Sequence, residues 1–181
     1  MPFNQRFSTI DKAVLTATGN SLVICGSTTA LESNTSDMIT PSGTSTRDWT
    51  KAGSSANLSI LDNSTILYAE LIWYSTVKSG DATALDVRSI ADNPITFITP
   101  KGTLTVSPQN TEVSNGASGS IDRFRSAEVT SIIKNSLGGS YTVTNVPTSI
   151  PPTGLSNTRA GWTLTVAYKN NSFKPKQIGI Y

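Results

Sequence analysis

The sequence predicts an all-β protein, a jelly-roll-like sandwich of two antiparallel sheets with one short helix. Three observations carry this: one strand of strict alternation, one longer run that is apolar on both faces, and many short β-type segments separated by Gly, Pro, Ser and Asn. In residues 161–169, Trp162, Leu164, Val166 and Tyr168 alternate with Thr163, Thr165, Ala167 and Lys169. A period of two with aromatic and β-branched residues describes a strand buried on one face. In residues 66–74 both faces are apolar apart from Glu70, which describes a central strand covered from two sides.

The remaining elements follow from shorter patterns. Residues 13–18, 21–25, 57–61, 95–99, 103–107, 140–146 and 177–181 read as strands, about eight to ten in all once edge pieces are included. Gly19-Asn20 and Lys101-Gly102 stand between paired runs and predict two tight turns. The spacing of Val129, Ile132, Ile133 and Leu137 predicts a helix over 126–137, capped by Ser126 and ended by Gly138-Gly139. Residues 26–56, 113–120 and 147–157 read as long loops, and 169–176 as a solvated hairpin loop.

A chain of 181 residues fits one domain, 1–181, burying roughly two-thirds of its unfolded surface. Its 14 basic and 12 acidic residues are scattered, without the clustered Lys and Arg that neutralise several phosphates, so nucleic acid is not an expected partner. There is no histidine, which removes the commonest general base and the commonest zinc ligand. The single cysteine, Cys25, forms no internal disulfide and sits in an apolar run, where a buried inert thiol is expected. Asp81, Asp86 and Asp92 lack the dense oxygen pattern of a calcium loop. Neither a metal nor a cofactor is expected, no catalytic residue is identified, and no run approaches membrane-spanning length.

Glu70 is the most unusual residue, because an acid inside an apolar strand must neutralise or find a partner. Arg123 and Arg125 are the candidate partners, in a structural ion pair. A lysine attacking Asn or Asp beside such an acid would form an isopeptide crosslink, yet no lysine stands in an apolar strand run with a matching Asn. Likewise, Cys25 with Gln109 or Gln177 makes only a poor match to a thioester. Asn34, Asp48 and Trp49 form a minimal ligand loop for a glycan, although Trp49 also suits the simpler role of pinning a long loop.

Several segments taken together resemble a known family: Phe7-Ser8-Thr9, Gly19-Asn20-Ser21-Leu22, Tyr68-Ala69-Glu70-Leu71-Ile72-Trp73, Thr96-Phe97-Ile98-Thr99-Pro100, Glu128-Val129-Thr130 and Ala160-Gly161-Trp162-Thr163-Leu164. In this order they resemble the N-terminal β-sandwich domain of large adhesin-like surface proteins of Gram-positive bacteria, notably bacilli, which carry tandem β repeats. The chain departs from that pattern around Val23-Ile24-Cys25. The resemblance implies a bacterial cell or spore surface, or the extracellular space, and transfers no ligand residues.

The expected function is therefore a non-enzymatic surface module, adhesin-like or appendage-associated. Its expected partners are other protein subunits or downstream repeat domains, with a host or matrix protein or a glycan as ligand. The alternatives are a carbohydrate-binding domain and a jelly-roll subunit of a phage or virus-like assembly. Because 177–181 reads as a strand, the sheet is expected to continue beyond Tyr181 or to accept a strand from a neighbour.

Overall fold

The computed structural model of the chain describes residues 4–25, 36–116, 119–151 and 158–181. In chain order the strands are β1 (Phe7–Asp11), β2 (Ala13–Ser21), β3 (Val23–Cys25), β4 (Ser36–Ile39), β5 (Ser45–Thr46), β6 (Gly53–Leu58) and β7 (Thr65–Lys78). They continue with β8 (Ile95–Thr99), β9 (Gly102–Val106), β10 (Asn110–Asn115), β11 (Ile121–Glu128), β12 (Gly139–Thr144), β13 (Ala160–Lys169) and β14 (Lys176–Ile180). The helix α1 (Thr130–Ser136) stands between β11 and β12.

Two antiparallel sheets carry the fold, one ordered β10-β11-β7-β13-β2 and the other β6-β12-β8-β9. The pairing is nested: β2 with β13, β6 with β12, β7 with β11, and β8 with β9 at the centre. A chain that pairs its outermost strands, then the next pair inward, is a long hairpin rolled over itself. Contacts of β7 with β13 and of β8 with β12 then close the roll into two sheets. This is the jelly-roll arrangement, with β10 added as an edge strand by its hairpin to β11. A small sheet, β3-β4-β5, and a two-stranded ribbon, β1-β14, complete the molecule.

The core lies between the inward faces of the two large sheets. From the first come Leu71, Trp73, Trp162 and Leu164, and from the second Phe97, Tyr141 and Val143, all almost fully buried. Phe97 and Tyr141 stack with centroids 5.5 Å apart. The Trp162 indole donates across the sandwich to Ser54 Oγ at 3.0 Å, so its polar edge is satisfied inside the core. The Tyr141 hydroxyl donates to the Leu137 carbonyl, and burial pushes its ionisation up to about 12.

Both strands that anchor the sequence reading are present, β7 as the central strand and β13 beside it, alternating over Trp162–Val166 but buried on both faces toward its ends. The Lys101-Gly102 turn joins β8 to β9, with Gly102 at φ +142°, a conformation that favours glycine. Gly19-Asn20, by contrast, makes no turn, since β2 runs straight through it beside β13. A Cβ at Gly19 would lie 2.3 Å from the Trp162 carbonyl oxygen, so this glycine permits close approach of two strands.

The helix is shorter than its apolar spacing predicts. Residues 126–128 belong to β11, paired with Ile72, Leu71 and Glu70, and the helix begins at Thr130, whose hydroxyl accepts the Ala69 N–H at 3.0 Å. Ladder bonds to β7 outcompete local helix propensity there. Residues 169–176 do not close a hairpin, because β14 crosses to β1 instead of pairing with β13. Part of 26–56 is also regular, forming β4, β5 and β6.

The face assignment of β13 is directly testable by urea unfolding. Leu164→Ala should cost about 2–5 kcal/mol by opening a cavity. Thr163→Ala, one residue away on the outward face, should stay within about 0.5 kcal/mol.

Candidate functional site

On β7 the odd-numbered residues Ala69, Leu71 and Trp73 enter the core, which leaves Tyr68, Glu70, Ile72 and Tyr74 on the outward face of the five-stranded sheet. Part of this outward face is itself covered. The β1-β14 ribbon lies over it, with Phe7 stacked on Tyr68 at 5.2 Å between centroids. Glu70 is consequently only 2% exposed.

Register places Glu70 directly opposite Glu128 on β11 and Thr165 on β13. Two acids face to face destabilise a sheet unless a cation intervenes. Arg6, just before β1, supplies it: Nη1 donates to Glu70 Oε1 and, at 2.9 Å, to Ser126 Oγ. The Tyr68 hydroxyl donates to the other carboxylate oxygen, Oε2, at 3.2 Å. Both oxygens of the buried carboxylate are thus engaged, as burial of a charge requires. Burial, then the nearby Glu70 charge, pushes the Tyr68 phenol up to about 12.

Arg123 and Arg125 are not partners of Glu70. Strand parity decides this, because Glu70 shares its face with Phe124, Ser126 and Glu128, while Arg123 and Arg125 project from the opposite side of β11. Arg125 is 1% exposed and donates to the Ala91 carbonyl and to Ser75 Oγ, both at 2.6 Å, and to the Arg123 carbonyl at 3.1 Å. Its burial pushes the guanidinium down to about 10, still a cation at neutral pH. Arg123 lies 3.4 Å from Asp92. Both arginines therefore tie β11 to the segment that follows the short turn Arg88–Ile90.

Of the expected ligand loop, the structure describes two of the three residues, Asp48 and Trp49. Asn34 lies outside the described residues. Asp48 caps a turn, with Oδ1 accepting from the Thr50 N–H at 3.0 Å and its hydroxyl at 2.6 Å, and these bonds hold its carboxyl below the ordinary range. Trp49 packs partly buried against the main core, which is the anchoring role. The Cys25 side chain lies outside the described residues, and Gln109 Oε1 accepts from the Glu128 N–H at 2.9 Å.

Glu70 itself borders a cleft of about 470 Å³, bounded by Arg6, Ile180 and Tyr181 on the ribbon side and by Glu70, Ile72, Asn110, Glu112, Phe124, Ser126 and Thr165 on the sheet. Sequence reading missed Arg6, Phe124 and Glu112. The available signal was the outward parity of Tyr68, Glu70, Ile72 and Tyr74, which marks a second side-chain face on β7. Among the described residues no group of three or more acidic, Cys or His side chains is placed to hold a metal ion, and no helix is long and apolar enough to cross a membrane.

Fold and cleft together define the class as an all-β jelly-roll sandwich with a partly covered outer sheet face. No protein-family model matches the chain, and neither the curated proteins nor the solved structures contain a match.

The Tyr68 environment has a pH signature. A phenol whose folded value is raised above the usual 10.0 stabilises the fold fully below pH 10 and loses that contribution as pH rises through about 12. Unfolding midpoints should therefore fall between these values. In Tyr68→Phe, part of that alkaline fall should vanish, which differential scanning calorimetry along a pH series would register.

Proposed function

We propose that the chain is a non-enzymatic bacterial surface module, adhesin-like or appendage-associated, in which the jelly roll is a rigid scaffold for an outer binding face. One observation supports this most: each charged side chain buried among the described residues is bonded within the scaffold. Glu70 is held by Arg6 and Tyr68, and Arg125 by carbonyls and Ser75. Asp122 accepts from Thr76 Oγ1 at 2.7 Å and from Arg159 at 3.2 Å. Acids and bases used in this way fasten elements together, and even Glu70, which borders the cleft, has both carboxylate oxygens engaged by Arg6 and Tyr68.

The sequence resemblance to the N-terminal domains of bacillus surface proteins agrees with this reading. An antibody raised against the purified domain should label intact, unpermeabilised cells that produce the protein from its native gene. Labelling confined to permeabilised cells would refute a surface location.

A further inference from the structure

We propose that the open part of the outer sheet face, centred on Tyr74 and Phe124, binds a neutral oligosaccharide. Register aligns Glu112 of β10, Phe124 of β11, Tyr74 of β7 and Gly161 of β13 in one cross-strand row. The adjacent row holds Asn110, Ser126, Ile72, Thr163 and Gly19. The longer row crosses five strands, four spacings of ~4.8 Å, or about 19 Å, a span that accommodates several linked sugar rings.

Two features make this shelf a stacking surface. The Tyr74 and Phe124 rings stack on each other, 5.7 Å between centroids and 20° from parallel, which holds Phe124 upright on the sheet and leaves it 42% exposed, with the ring face turned away from Tyr74 toward β10 open to a ligand. Tyr74 leans over Gly161, where a Cβ would stand 2.9 Å from its Cε1 atom. The glycine thus sets the ring position. On the far side, Tyr74, Gly161, Thr163 and Gly19 border a further depression of about 420 Å³, so the shelf runs on from the Glu70 cleft across the sheet.

The polar groups select the ligand class. Glu112, Thr163 and the Tyr74 hydroxyl make no hydrogen bond among the described residues, which leaves acceptors and hydroxyls directed at solvent beside the rings. Aromatic faces beside carboxylate and hydroxyl groups match sugars, whose C–H faces stack and whose hydroxyls donate and accept. An anionic ligand is disfavoured, because the two arginines that border the cleft, Arg6 and Arg125, are already engaged within the scaffold, while the Glu112 carboxyl group has no hydrogen-bond partner among the described residues. This binding reading stands independently of cellular location.

The test is a heteronuclear NMR titration of the isotope-labelled chain with neutral hexasaccharides, namely β-glucan, xylan, mannan, α-glucan and N-acetylglucosamine oligomers, and with an oligouronate. At least one neutral probe should give saturable shifts of the Glu112, Phe124, Tyr74 and Thr163 amides. Phe124→Ala and Gly161→Ala should each weaken that binding about tenfold or more, whereas Leu104→Ala, on the other sheet, should leave it unchanged. Absence of shifts with every neutral probe, preference for the oligouronate, or shifts that map to another face would overturn the proposal. The wild-type map decides the matter even if a variant fails to fold.

Discussion

A carboxylate buried on the outer face of the central strand has to be covered and neutralised at once, and much of the molecule's third layer answers to that constraint. Glu70 lies opposite another acid, Glu128, so sheet pairing alone sets like charges against each other. Arg6 relieves the repulsion and draws the chain before β1 down onto the sheet. Its own N–H donates to the Ile180 carbonyl, which fastens β14 in the same movement. Phe7 on Tyr68 then adds stacking to the ion pair. The ribbon, the cleft beside it and the boundary between covered and open sheet all follow from this one cluster.

That arrangement was only partly legible in the sequence. Alternation in 161–169 and the doubly apolar run in 66–74 are strong local signals, and both became the strands they describe, because burial on defined faces enforces register. Glu70 was legible as a problem but not its solution. Arg6 lies 64 positions away along the chain, and no local pattern links a residue near the start to an acid in the middle. The nearer-looking candidates, Arg123 and Arg125, fail on parity, which becomes readable only once β11 is known to be a strand. Residues 126–128 hid that fact, because Ser126 reads as the cap of the helical spacing that starts at Val129. Gly19 misled for a related reason: a glycine that signals a turn locally serves here to let two backbones approach.

Arg125 shows how the same strand serves two faces. Its guanidinium is buried on the side away from Glu70, where Nη1 and Nη2 donate to carbonyl groups and a serine, not to a carboxylate, and Nε makes no hydrogen bond. β11 thus holds a loop segment beneath the sheet and an acid cluster above it, while its outward Phe124 remains available to solvent. Rigid support below and an exposed aromatic above is the division of labour expected of a binding face built on a strand scaffold.

The central claim is that the Arg6–Glu70 pair, rather than apolar contact alone, fixes the ribbon to the sheet. A double-mutant cycle with Arg6→Ala, Glu70→Ala and the double variant, followed by urea unfolding, measures it most directly. The account predicts a coupling of about 2 kcal/mol, with Arg6→Ala the costlier single change because it leaves the carboxylate buried and deprived of its cation. Additive effects with a coupling near zero would contradict it.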